Sequence, residues 1–228
     1  MSVPRLSRTL GALALLSLLT APAVLAQRGA VLHEIPEQLD PGRRYVIYLH
    51  GRIVEEKGPR PTHERWGIYE YQKILDTLAA PGFTVISEQR RLGTDMDRFA
   101  EHVTQQVKKL MAGGVPADHV TVIGFSKGGG IAIRTSALLK NDKVNFVFLA
   151  ACGDGDFSGT DIDVRGRILS VYEASDEMGR SCAQLFAKSK SRGKHAEVKI
   201  ATGEGHGAFF RPRKEWTSPV IAWVRQQR

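Results

Sequence analysis

The chain has 228 residues, 42% of them hydrophobic and 25% charged, with a formal net charge of +8. That balance describes an ordinary soluble globular chain long enough to bury a full core in one domain. It carries no repeat, no low-complexity tract and no nucleic-acid module, so nucleic acid is not an expected partner.

At the N-terminus, Arg5 and Arg8 precede an apolar run at residues 10–19, and small Val24 and Ala26 stand three and one residues before Gln27. A basic start, a short apolar core and a small-residue cleavage site make residues 1–26 a secretory signal peptide. The apolar run is too short for a comfortable membrane span. The residue directly after the cleavage site is Gln27 and not a cysteine, so no lipid anchor is expected, and no stable membrane anchor after signal cleavage. Loss of Arg5 and Arg8 leaves a net charge of +6. The mature chain, residues 27–228, is expected to be a single domain in a periplasm or secreted. Its densest cationic group is Lys188, Lys190, Arg192 and Lys194, either a solvated helix end and loop or a patch for anionic surfaces.

From the mature start, residues 27–41 read as an extended lead-in or short strand around Val31 and Leu32, ending in the turn Asp40-Pro41-Gly42. Residues 44–49 form a near-continuous apolar strand, the pattern of a strand covered on both faces. It ends in His50-Gly51-Arg52, after which an irregular charged loop runs to Pro61. Helical spacing covers residues 66–79, and residues 83–87 form the next strand. Thr94-Asp95-Met96-Asp97 reads as a capping box, and Met96, Phe99, Val103, Val107 and Leu110 line one helical face stopped by Gly113-Gly114.

Residues 120–125 are a β-branched strand that runs into Gly124-Phe125-Ser126-Lys127-Gly128-Gly129 and then a helix of small and apolar residues. A serine between a strand end and a helix start is held in a strained backbone with its hydroxyl pushed out of the sheet edge. Glycines two before and two after relieve collisions with the neighbouring strand and helix. The helix N-terminus also offers free N–H groups to a developing oxyanion. Strands at 144–151, 167–172 and 197–200, with helices at 181–188 and 216–224, complete the chain. Alternating strands and helices argue a mostly parallel sheet of about six strands covered on both faces, an α/β class. Only residues 152–166 separate two successive strands after the serine helix, which leaves no room for a lid domain.

Nucleophilic catalysis by a serine needs a base for its proton and an acid to orient that base. His206 lies in a glycine-rich loop after the last strand, and Asp176 just beyond the 167–172 strand. In a parallel sheet Ser126, Asp176 and His206 emerge at one carboxyl edge, where open α/β sheets place their sites. The order serine, acid, histidine is that of the α/β-hydrolase arrangement.

The motifs Tyr48-Leu49-His50-Gly51, Gly124-Phe125-Ser126-Lys127-Gly128-Gly129, Ser175-Asp176-Glu177 and Gly205-His206-Gly207 resemble those of the α/β-hydrolase superfamily. The likeness is to small lidless members similar to dienelactone hydrolases and compact carboxylesterases. It covers nearly all of the mature chain. It implies Ser126 as nucleophile, Asp176 as acid, His206 as general base, and oxyanion donors from the backbone N–H groups of Arg52 and Lys127. Two departures stand out: at most one strand precedes the His-Gly strand, and a cation, Lys127, sits beside the nucleophile.

Rival readings remain at this stage. Asp154 or Asp156 could serve as the acid, with Glu173 and Glu204 as lesser candidates. His195 is the only nearby competitor for His206. His50 reads as structural, tying down the oxyanion loop, while Tyr69, Glu70 and Tyr71 form a helix face or line the pocket. Cys152 and Cys182, the only cysteines, either form a disulfide or remain two thiols. The histidines show no paired spacing, so neither a metal site nor a cofactor is expected.

The function read from these residues is an exported serine hydrolase acting on a small-molecule acyl substrate, a carboxylic ester. A peptidase or thioesterase is the enzymatic alternative. A non-catalytic extracytoplasmic binding protein, or a redox protein using Cys152 and Cys182, is the alternative from another class.

Overall fold

A computed structural model describes Met1, residues 29–153 and residues 162–226. Apart from Met1, the signal segment lies outside the described residues, and so do Asp154 and Asp156. In chain order the first elements are β1 (Ala30–Leu32), β2 (Tyr45–Leu49), α1 (Arg52–Lys57), β3 (Thr62–His63), β4 (Gly67–Ile68), α2 (Tyr71–Ala79) and β5 (Thr84–Ile86). Then follow α3 (Met96–Ala112), β6 (Val120–Phe125), α4 (Lys127–Leu139), β7 (Asn145–Leu149), β8 (Arg167–Glu173), α5 (Ala183–Lys188), β9 (His195–Ile200) and α6 (Lys214–Arg225).

Seven strands pair in the order β1-β5-β2-β6-β7-β8-β9, each with its neighbour in parallel. The count exceeds the expected six because the lead-in around Val31 pairs with β5 as a three-residue edge strand. Strand residues alternate between the two faces, as a period of two demands. Val46, Tyr48, Ile123, Phe125, Val147 and Leu149 pack on the side of α2 and α6. Tyr45, Ile47, Leu49, Val122, Phe146 and Phe148 pack against α3, α4 and α5. The central strands are therefore buried along their whole length, and their apolar runs follow from double coverage. Among the described residues no helix is long and apolar enough to cross a membrane.

The segment between β2 and β5 departs from the sequence reading in two ways. The charged stretch after Gly51 is not irregular throughout; residues Arg52–Lys57 are helical, with Val54 and Glu55 buried and Gly58 closing the helix at φ 80. The next helix begins at Tyr71, not at residue 66. Gly67 has φ 74 and pairs with His63 in the small antiparallel β3–β4 hairpin, which breaks the helical pattern. Trp66 is thereby released to the sheet edge. At α3 the N-cap is Asp95, which accepts from the N–H groups of Asp97 and Arg98, while Thr94 donates to the Arg91 carbonyl.

Cys152, after β7, and Cys182, before α5, are joined by a disulfide, with their Cα atoms 5.3 Å apart. β7 and β8 are neighbours, so both cysteines fall at the carboxyl edge. The Arg180 N–H donates to the Cys152 carbonyl alongside the bridge. The bridge closes a sequence separation of 30 residues. By chain entropy such a loop stabilises by about 3–4 kcal/mol. Reduction is therefore expected to lower the thermal midpoint by roughly 10 °C in a domain of this size. Scanning calorimetry with and without reductant checks this; equal midpoints would contradict it.

Candidate active site

β6 ends at Phe125 and α4 begins at Lys127, leaving Ser126 alone in the turn with φ 53 and ψ −119. A residue bearing a side chain seldom adopts that conformation and keeps it only where the surroundings over-determine it. Here they do. A Cβ on Gly124 would lie 2.2 Å from the Gly128 carbonyl oxygen, and one on Gly128 would lie 2.0 Å from that of Leu49. The Ser126 N–H is fixed by donation to the Leu149 carbonyl at 2.9 Å. The serine is half-buried, and its hydroxyl makes no hydrogen bond with any described residue.

Asp176 follows β8, and His206 stands in a single 3₁₀ turn, Gly205–Phe209, after β9. Both are buried, and the imidazole Nδ1 bonds the Asp176 Oδ2 at 2.8 Å. A carboxylate only accepts, so the proton lies on Nδ1 and the Nε2 lone pair is left free. Burial acts to raise the Asp176 pKa. The hydrogen bond and charge of His206, with the N–H groups of Met178 and Gly179, outweigh it and hold the carboxyl below its usual value. His206 and Ser126 line one cavity of about 670 Å³, together with Phe125, Trp66, Met178 and Phe210, a volume typical of small-molecule sites. The His206 ring centroid lies 4.8 Å from that of Phe125 and 5.5 Å from that of Trp66.

The opposite wall is the His50-Gly51-Arg52 turn. His50 is fully buried; its Nε2 accepts from the Arg90 N–H at 2.9 Å, and its Nδ1 donates to the Gly51 carbonyl at 2.8 Å. Burial first, then the Arg90 charge, push the His50 pKa down to about 3, so it stays neutral. Pinning the Gly51 carbonyl pins the whole planar peptide, whose other polar group, the Arg52 N–H, faces the opposite way. Arg52 opens α1 and Lys127 opens α4. Neither first-turn N–H has an acceptor within its own helix. Both residues line the cavity beside Ser126.

A scan against protein-family models finds no match, and no curated protein matches by sequence. Solved structures do. A Klebsiella pneumoniae protein assigned as a dienelactone hydrolase aligns with a TM-score of 0.56 at 15% identity, covering 84% of this chain and 90% of that one. A lidless α/β serine hydrolase from Xanthomonas campestris aligns with a TM-score of 0.53 at 15% identity, covering 86% and 89%. An esterase from Pyrobaculum calidifontis aligns with a TM-score of 0.54 at 17% identity, covering 82% and 78%. The chain has the α/β-hydrolase fold. At these identities the likeness is one of architecture.

On this fold the rivals to the expected residues have other partners. Glu204 pairs with Arg213 and Arg211. His195 lies within β9, at the amino end of the strand rather than before it, with its ring 4.8 Å from that of Phe186. Tyr69 is buried against Tyr48, Glu70 pairs with Lys73, and Tyr71 bonds Ser87; none of the three lines the Ser126 cavity. Among the described residues no group of three or more His, Cys, Asp or Glu could hold a metal ion.

Glu173 has a role that sequence reasoning missed. It is buried at the end of β8 and joins two loops. Its Oε2 accepts from the Ser175 N–H and hydroxyl, both at 2.6 Å, and its Oε1 from the N–H groups of Thr202 and Gly203, at 2.8 and 2.9 Å. The first pair belongs to the Asp176 loop and the second to the His206 loop. Burial opposes the charge, but these donors outweigh it and bring the pKa to about 2 from 4.5. A depressed carboxyl pKa stabilises the fold above the unfolded value, and that contribution is lost as pH falls from about 4.5 toward 2. Glu173→Gln is expected to cost about 2–3 kcal/mol at neutral pH, the scale of leaving buried donors without a charged acceptor, and to flatten the acid limb. Urea unfolding of both proteins from pH 7 to pH 2.5 measures this; identical pH dependence would contradict it.

Proposed function

We propose that the protein is an exported serine hydrolase that cleaves a carboxylic ester through an acyl-enzyme intermediate. Ser126 is the nucleophile, His206 the general base and Asp176 the acid that orients it. The observation that carries this reading is the buried Asp176–His206 hydrogen bond, with its free Nε2 in the same cavity as a serine strained outward at φ 53. Hydrogen bonds to a catalytic base are often loose before substrate binds, so the unengaged Ser126 hydroxyl is compatible with the role.

The Ser126 Oγ attacks the acyl carbonyl while His206 Nε2 takes its proton. Asp176 keeps Nδ1 protonated and stabilises the imidazolium that forms. The oxyanion is received by the backbone N–H groups of Lys127 and Arg52. Collapse of the tetrahedral intermediate expels the alcohol, which takes the proton from Nε2. Water, activated by the same nitrogen, then hydrolyses the acyl-serine.

Export is supported by the signal pattern at residues 1–26 and by the Cys152–Cys182 bridge, since disulfides persist in oxidising compartments. The bridge is buried, with Cys152 3% and Cys182 1% exposed, which weighs against a working redox pair, because thiol exchange requires access.

Ser126→Ala is expected to reduce ester turnover by about 10⁴- to 10⁶-fold, the usual scale for a triad member, with an unchanged circular dichroism spectrum. Wild-type turnover in the variant would refute the assignment. Short soluble esters are expected to be cleaved at least as well as long emulsified ones, in a rate profile through the solubility limit. A sharp rise above that limit would refute an open, lidless site.

A further inference from the structure

The cation beside the nucleophile has an identified partner. The Lys127 ammonium bonds Glu55 Oε2 at 2.5 Å, and Glu55 Oε1 accepts from Arg90 Nε at 2.8 Å. The Glu55 side chain is 1% exposed, that of Arg90 0% and that of Lys127 11%. Buried ion pairs are expensive to desolvate, and an apolar contact could dock α1 against α4 at less cost. The arrangement of the charges therefore asks for a reason beyond stability.

We infer that Glu55 is a positioning residue that fixes the two oxyanion donors, Arg52 N–H and Lys127 N–H, relative to one another. The inference rests on the proposed hydrolase reading. Lys127 enters the network twice, offering its backbone N–H to the oxyanion and its ammonium to Glu55. Glu55 lies one turn beyond Arg52 on α1, so its carboxylate ties that helix directly to the start of α4. Through Arg90 it reaches the other side of the same turn. The Arg90 N–H donates to His50 Nε2, its guanidinium to the His50 carbonyl, and His50 in turn holds the Gly51–Arg52 peptide. One carboxylate thus sets both donors.

The charges have a second effect. One carboxylate faces two cations, and His50 is neutral, so the cluster keeps one excess positive charge. Arg90 Nη1 is buried with no hydrogen-bond partner among the described residues. Excess positive charge in a low-dielectric setting favours a developing oxyanion over a neutral ester.

Lys127→Met is the cleanest test, because Glu55 and Arg90 remain a balanced pair, and circular dichroism and thermal unfolding check that the variant is folded. The readouts are kcat and KM for a neutral short-chain ester, and the affinity for a trifluoromethyl ketone, whose serine adduct is a tetrahedral oxyanion. Since removal of a whole oxyanion donor costs about 10²–10³, a loosened pair is expected to lower kcat roughly 10- to 100-fold. KM should stay within about twofold, ketone affinity should fall with kcat/KM, and Lys127→Arg should restore most of the loss. Combined with Glu55→Gln, the loss should not exceed that of the worse single variant, as for one device.

A folded Lys127→Met with wild-type kcat and ketone affinity overturns the inference. So does a loss confined to KM, which would make Lys127 a substrate-binding cation, or losses that multiply in the double variant. In each of these cases an active wild type leaves the hydrolase reading intact. A wild type that neither turns over esters nor reacts with a fluorophosphonate removes that reading and this inference together.

Discussion

The conformation of one residue constrains the rest. Ser126 occupies φ 53 because three backbone segments meet at its turn: the end of β6, the start of α4 and the end of β2. The contacts that would crush a Cβ at Gly124 or Gly128 also hold the serine in place. Strain of this kind costs on the order of 1–3 kcal/mol, and the doubly covered sheet behind it supplies the rigidity that maintains it. The serine hydroxyl, the start of α4 and the Leu49–Gly51 turn are therefore one mechanical unit.

Around that unit, charged side chains do what packing alone cannot: they fix loops. Glu173 binds the loop bearing Asp176 to the loop bearing His206 through four close donors. Glu55, Arg90 and His50 bind the turn bearing Arg52 to the start of α4. Each carboxylate is buried and each bridges two segments that leave the carboxyl edge. The disulfide adds a third tie, between the chain after β7 and the start of α5. Rigid strands could not by themselves hold three loops to the accuracy that the proposed proton transfer would require.

Much of this was legible in the sequence. The placement of Ser126, Asp176 and His206 at one edge could be read because each sits just beyond a recognisable strand, and a parallel sheet brings strand ends to one edge. Helix α1 was not legible, because its six residues are mostly charged and only Val54 shows an apolar buried face. The start of α2 was misread because Trp66 and Ile68 extend the helical spacing, whereas the positive φ at Gly67 ends it. The Lys127 partner could not be seen, since Glu55 lies 72 residues before Lys127, and Arg90, which completes the network, 35 residues after Glu55. Glu173 stands in the sequence only as a lesser candidate for the acid, and its role depends on donors at Thr202 and Gly203 that no local pattern announces.

The central claim is that Ser126 is a nucleophile activated by His206. The most direct measurement is fluorophosphonate labelling of the wild type and of His206→Ala, followed by mass mapping of the modified peptide. The account predicts one adduct per chain, on Ser126, formed far more slowly in the histidine variant. An unlabelled wild type, a different labelled residue, or equal labelling rates in both proteins would contradict it.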